Sequence, residues 1–262
     1  MIKILKYINS LPFPITVKHH VSFGVSDKYL KGVVGEKDAK KLWQVLRDTH
    51  PRYRIAKDRD TWLADISIRK DGQDEKLPAR VEAMATLIEK EGIKTFYSIG
   101  AGGGVFEYFL KKRLPRLKIV ASEHTQEGVD RLRDVFLECD MVEFFDALDD
   151  SSWERIGKDP DGLVFIYRNE REFSDKQWRK MFVAMHKAQV KRVFLGLMNM
   201  LTLLAFVQEK IRNLKHRMRG DGLNFVGFLR SQYVFESFWK GLYTDIEIPF
   251  PNCRGIYLKL IS

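Results

Sequence analysis

Apolar positions change their spacing along the chain, and from residue 78 onward the changes become regular. In PARVEAMATLIEKEG (78–92), Val81, Met84, Ala85 and Ile88 recur at helical intervals. Pro78 suits the first turn of that helix and Gly92 its end. A short apolar run, Phe96, Tyr97 and Ile99, then reads as a strand. It enters a glycine-rich turn and a helix through about Arg113. LKIVAS (117–122) is a second strand closed by Glu123, followed by the helical TQEGVDRLRDVFLE. MVEFF (141–145) is a third strand ending at Asp146, with a short helix over Ser152–Ile156. LVFIY (163–167) is a fourth, continuously apolar as strands buried on both faces are. Ser174–Gln189 reads as a helix with Ser174 as N-cap, VFLGL (193–197) as a fifth strand, and about 201–219 as a basic helix. TDIEIPF and GIYLKLI form an apparent hairpin around Pro251 and Asn252. Strand and helix alternate, then an antiparallel pair closes the chain, which predicts an α/β doubly wound sheet.

The first 75 residues carry a weaker pattern. VKHHVSFGV (17–25) reads as a short strand and Asp38–Arg47 as a short helix. RYRIAKDRDTW (52–62) is so charged that it reads as exposed, and DGQDEK (71–76) reads as a polar linker. The chain therefore divides into an N-terminal extension or lid, 1–75, and a main domain, 76–262.

Composition narrows the field. A formal charge of +10 and a pI near 9.4 favour anionic partners, a statement about association and not about fold. Cys139 and Cys253, far apart and outside any CxxC, argue against a zinc site and for a reducing cytoplasm. The histidines lack ligand spacing, so no metal is expected. The longest apolar run, Val193–Val207, is shorter than the roughly 20 residues a membrane span needs. The first fifteen residues show no signal-peptide pattern.

The stretch TFYSIGAGGGVFEY (95–108) places Gly100, Gly102 and Gly104 between a strand and a helix start. Glycines let a backbone turn sharply and approach a ligand closely. A dinucleotide fingerprint would place its third glycine where Val105 stands, which disfavours a dehydrogenase. Glu123 ends the second strand and can accept two hydrogen bonds from a ribose diol; the alternative is a solvated acid. Asp146 ends the third strand and can accept from an adenine amine; the alternative is a helix cap. All three features fall at carboxyl ends of successive strands, where ligands bind in such sheets.

SIGAGGG, ASEHT and FFDAL resemble the first three motifs of the class I S-adenosylmethionine-dependent methyltransferases, over about residues 78–262. The resemblance implies a Rossmann-like, mostly parallel seven-stranded sheet with an antiparallel C-terminal hairpin. It also implies S-adenosylmethionine as cofactor. Ser98, Gly100, Ala101, Gly102 and Gly104 would receive its amino-acid end, Glu123 and His124 its ribose, and Asp146 and Ala147 its adenine. Ser98 departs from the family, which usually carries an acid there.

The acceptor side has fewer landmarks. YRNEREF (167–173) lacks the Asn/Asp-Pro-Pro-aromatic tetrapeptide of DNA amino-methylating enzymes. SDKQW (174–178) with GFLRSQ (227–232) loosely resembles methyltransferases found with bacterial surface-polysaccharide biosynthesis. A small-molecule or glycan hydroxyl, in some cases anionic, is the favoured acceptor. Glu170, just past the fourth strand, is the candidate general base, with Glu172 and His124 as competitors. The alternative is a solvated acid paired with Arg168 or Arg171. Of the basic segments, KKRLPRLK (111–118) reads as a solvated face. EKIRNLKHRMR (209–219) can hold phosphate or a nucleic-acid backbone, which keeps RNA or protein methylation as a second reading. Tyr233, Phe235, Phe238 and Trp239 can stack sugars or bases, though core packing is the commoner use of that spacing. A non-catalytic nucleotide-binding or scaffold module is the third reading. Oligomeric state is not legible.

Overall fold

The computed structural model describes residues 14–21, 55–68, 76–198, 200–219 and 224–261. The helix expected over Asp38–Arg47 lies outside them, as does the linker expected over 71–76 except its last residue. They form two compact units. One holds residues 55–68, 76–169, 180–198 and 241–261; the other holds 14–21, 170–179, 200–219 and 224–240.

The first unit carries a seven-stranded sheet. In chain order its elements begin with helices α1 (Arg59–Ile68) and α2 (Leu77–Glu91). Then come β2 (Thr95–Ile99), α3 (Val105–Arg113), β3 (Lys118–Glu123), α4 (Gln126–Val135), β4 (Met141–Phe144) and α5 (Asp150–Gly157). β5 (Gly162–Tyr167), β6 (Arg192–Leu197), β8 (Tyr243–Phe250) and β9 (Cys253–Leu260) complete the sheet. Its spatial order is β4-β3-β2-β5-β6-β9-β8. The first five strands run parallel, while β9 pairs antiparallel with both β6 and β8. The expected Rossmann-like architecture with its closing hairpin is thus present. β2 lies between β3 and β5, so successive connections diverge there. In such sheets that switch point opens a crevice at the carboxyl ends of the strands.

Every residue of β2 is buried, and so are all of β5 except its last. This is the burial a sheet covered on both faces requires. Phe96, Phe106, Phe165 and Phe194 pack in one cluster, with Phe106 and Phe165 stacked at 4.8 Å. A second cluster joins Ile55, Ala56, Trp62, Tyr108, Leu132 and Phe136. Over its described part, residues 55–62, this corrects the reading of RYRIAKDRDTW as exposed. The charged side chains there flank three buried apolar ones, and Trp62 is only 2% accessible. Arg59 is drawn in as well, donating to the Val135 carbonyl at 2.7 Å and pairing with Glu138.

In the second unit, β1 (Thr16–Val21) and β7 (Asn224–Arg230) form an antiparallel ribbon. The start of α6 (Asp175–Lys187) belongs here too, with α7 (Leu203–Met218) and α8 (Gln232–Trp239). Ser174 caps α6 reciprocally: its N–H donates to Gln177 Oε1 at 2.7 Å, and its hydroxyl accepts from Gln177 N. Phe235, Phe238 and Trp239 are buried, which assigns them to packing; Tyr233 alone of the four is exposed. The guanidinium of Arg230 is fully buried. It donates to Asp175 Oδ1 at 2.6 Å, to the Glu170 carbonyl at 2.8 Å and to the Phe173 carbonyl. A buried cation with several partners of this kind fixes the chain around it.

Candidate functional site

The loop between β2 and α3 is built on three glycines in the left-handed region, Gly100, Gly102 and Gly104, at φ 69°, 60° and 67°. Side-chain-bearing residues pay for that region, glycine does not. Space around them differs. A Cβ on Gly100 would lie 2.5 Å from Asn169 Nδ2, and one on Gly104 would lie 2.9 Å from a Leu132 methyl. A Cβ on Gly102 would meet nothing within 4 Å. Gly102 is the open turn of the loop.

Three partners hold this loop in place. Ala101 N donates to the Ser122 carbonyl at 2.9 Å. Asn169, just past β5, donates its amide to the Ile99 carbonyl at 2.7 Å. The indole of Trp62 donates to the Gly103 carbonyl at 2.8 Å. Gly100→Ala would force alanine into the left-handed region and push Asn169 off its carbonyl. We expect a loss of about 2 kcal/mol in unfolding free energy, read by urea denaturation.

Glu123 closes β3 and is fully buried. Its Oε1 accepts from Gly102 N at 2.6 Å, and its Oε2 lies 3.6 Å from His124 Nδ1. The carboxylate therefore reaches the open turn, and a solvated acid is not what the structure places there. Beneath the loop, Ser98 is buried and donates its hydroxyl to Glu107 Oε1 at 2.5 Å. Glu107 stands in the first turn of α3, itself buried. Burial pushes its carboxyl up to about 7; the Ser98 hydrogen bond pulls it back and the charge of Glu123 adds to the rise. Where the methyltransferases that the sequence resembles usually carry a strand acid this chain has Ser98, and the acid that reaches its hydroxyl comes from the following helix. Sequence reasoning missed Glu107, although it is the one acid among the apolar residues of VFEYFL.

Asp146 lies two residues beyond β4 and is exposed, with Oδ1 accepting from Leu148 N at 2.9 Å in an Asx turn. Ala147 is buried, its carbonyl accepting from the Trp153 indole at 3.1 Å. The cap of α5 is Asp149, so Asp146 does not serve as that cap. Register places these two residues beside Glu123, because Phe144 pairs with Glu123 across β3 and β4. Ser98, the glycine loop, Glu123, His124, Asp146 and Ala147 thus share one end of one sheet. Glu170 belongs to the other unit, where it is buried.

No family model and no curated protein matches the sequence. Solved structures do resemble it. Human N-acetylserotonin methyltransferase, in complex with S-adenosylmethionine, superposes with a TM-score of 0.56 at 10% identity over 90% of this chain. The chain covers 65% of that enzyme's length, less than two thirds. Magnesium protoporphyrin IX methyltransferase from Synechocystis PCC 6803, with bound S-adenosylhomocysteine, gives 0.51 at 13% identity, over 78% of this chain and 98% of that one. The fold is a Rossmann-like α/β fold, and these two methyltransferases share it. A Rhodobacter sphaeroides protein described as a zinc-dependent alcohol dehydrogenase also gives 0.50, at 13% identity over 68% of this chain and 88% of its own. Likeness at such identities establishes the fold alone, and one fold hosts many activities.

Proposed function

We propose that the protein is a cytoplasmic S-adenosylmethionine-dependent methyltransferase whose acceptor is a small-molecule or glycan hydroxyl. The observation that carries this reading is the buried carboxylate of Glu123, ending β3 and bonded to the amide of the open turn at Gly102. A carboxylate at that strand end suits a ribose diol, and the free space at Gly102 suits close approach of a ligand to backbone. Two of the similar structures hold S-adenosylmethionine or its demethylated product and are named for small-molecule acceptors.

When bound, S-adenosylmethionine supplies an electrophilic methyl group on a sulfonium. The chain's own residues bind and orient. Gly100, Ala101, Gly102 and Gly104 receive the amino-acid end, and the Ser98–Glu107 pair offers a negative charge for its ammonium. Glu123 accepts from the ribose hydroxyls with His124 beside it, while Asp146 and Ala147 border the adenine. Alignment of this kind supplies most of the acceleration that a displacement needs, on the order of 7–11 kcal/mol. A hydroxyl acceptor also has to lose its proton, and Glu170 is the residue proposed to take it.

Titration calorimetry with S-adenosylhomocysteine tests the cofactor: saturable one-site binding is expected, and no binding would overturn the reading. Once an acceptor is found, Glu170→Gln should lower turnover by about 10²–10⁴-fold with product affinity intact. Unchanged turnover would remove Glu170 from the mechanism.

A further inference from the structure

Helix α7 carries the basic segment noted in the sequence, but its outward face is not simply basic. Leu204, Val207, Ile211, Leu214 and Met218 recur at intervals of three and four residues. They stand between 37% and 80% exposed. This is a continuous apolar stripe on one side of a helix whose other side is already occupied. The helix's one acid, Glu209, is buried, its Oε1 2.8 Å from His19 Nδ1. Lys210, Arg212 and Lys215 are exposed, and Arg219 follows at the C-terminal end, exposed as well. No acid therefore stands on the exposed face.

Two occupants fit this surface poorly. A second copy of the chain would bring basic flanks against basic flanks, and the stripe runs for little more than two heptads where a coiled coil needs three or four. A nucleic-acid backbone would pair with the basic residues yet leave five large apolar side chains in water. An apolar stripe rimmed by lysine and arginine has the chemistry of a helix lying in the plane of an anionic bilayer. Among the described residues no helix is long and apolar enough to cross a membrane, so the contact would be peripheral.

We propose that α7 docks the protein on an anionic phospholipid surface, its apolar stripe entering the headgroup boundary and its basic flanks meeting the lipid charge. The methyltransferase reading is not needed for this, and the test does not use activity.

The full chain would be floated with vesicles of phosphatidylcholine alone and of phosphatidylcholine and phosphatidylglycerol in equal parts. Binding is expected to the mixed vesicles only and to weaken as salt is raised. Ile211→Gln with Leu214→Gln should reduce it by about tenfold or more at unchanged melting temperature, since both side chains are exposed. Lys210→Gln and Lys215→Gln should each cost about fivefold. Met218→Trp supplies a second readout, an emission shift to shorter wavelength on adding mixed vesicles. Absence of flotation and of that shift would overturn the proposal. So would flotation indifferent to the Gln pair. Self-association without lipid that the Gln pair abolishes would assign the stripe to a second copy. Binding of single-stranded RNA that depends on the lysines and not on the stripe would assign the helix to nucleic acid.

Discussion

Replacing Glu107 by glutamine is expected to stabilise the protein above neutral pH while weakening cofactor binding. The carboxyl is buried and its folded value is raised from the ordinary 4.5 to about 7. Between those values the folded chain holds a proton that the unfolded chain has released, so stability falls as pH rises through that window. Above pH 7 the full cost of the buried charge is present, on the order of 3 kcal/mol; below about 4.5 it vanishes. Glutamine keeps an oxygen for the Ser98 hydroxyl and carries no charge. Melting curves should therefore show Glu107→Gln several degrees more stable than the parent at pH 8 and indistinguishable from it at pH 4. The same variant should bind S-adenosylhomocysteine about tenfold less tightly, because the charge proposed to face the ammonium is gone. A melting shift of equal size at both pH values would show that ionisation is not the cause. Unchanged affinity would reduce Glu107 to a packing residue.

Glu123→Ala is expected to have the larger effect on binding. The carboxylate is proposed to accept from two ribose hydroxyls, and each charge-assisted hydrogen bond contributes about 1.5–3 kcal/mol. Affinity for S-adenosylhomocysteine should drop by on the order of 10²–10⁴-fold in calorimetry. His124→Ala, which removes a partly exposed ring 3.6 Å from the carboxylate, should cost far less. If Glu123→Ala bound as the parent does, the ribose assignment would be wrong and the carboxylate's role would be to hold the Gly102 amide. The two acids are coupled through space, since the charge of Glu123 contributes to the raised value at Glu107. Glu123→Ala should accordingly move the pH dependence of stability toward lower pH.

The parallel sheet was legible because its strands are short, apolar throughout and separated by amphipathic helices. Burial on both faces writes itself directly into residue type, as in LVFIY. The glycine loop was legible for a different reason: three positive φ angles in five residues admit little else. The β1–β7 ribbon was not, because its partners, Thr16–Val21 and Asn224–Arg230, are some 200 residues apart and only the first read as a strand. Trp62 was hidden by the charges around it, which face outward or pair, as Arg59 does with Glu138. Nothing in YRNEREF singles out Asn169, whose amide holds the Ile99 carbonyl. Glu107 was hidden by its own company, since nothing in VFEYFL shows that a helix residue answers the serine on the strand.

The hydrogen bond from the Trp62 indole to the Gly103 carbonyl has a practical consequence. It puts a fluorophore on the backbone of the loop itself, with Tyr108 edge-on at 5.3 Å and Phe136 at 5.6 Å. Indole emission depends on the polarity around the ring and on the partner of its N–H. Any rearrangement of the turn at Gly102 and Gly103 will therefore change the protein's intrinsic spectrum, and the loop can be followed optically without a label.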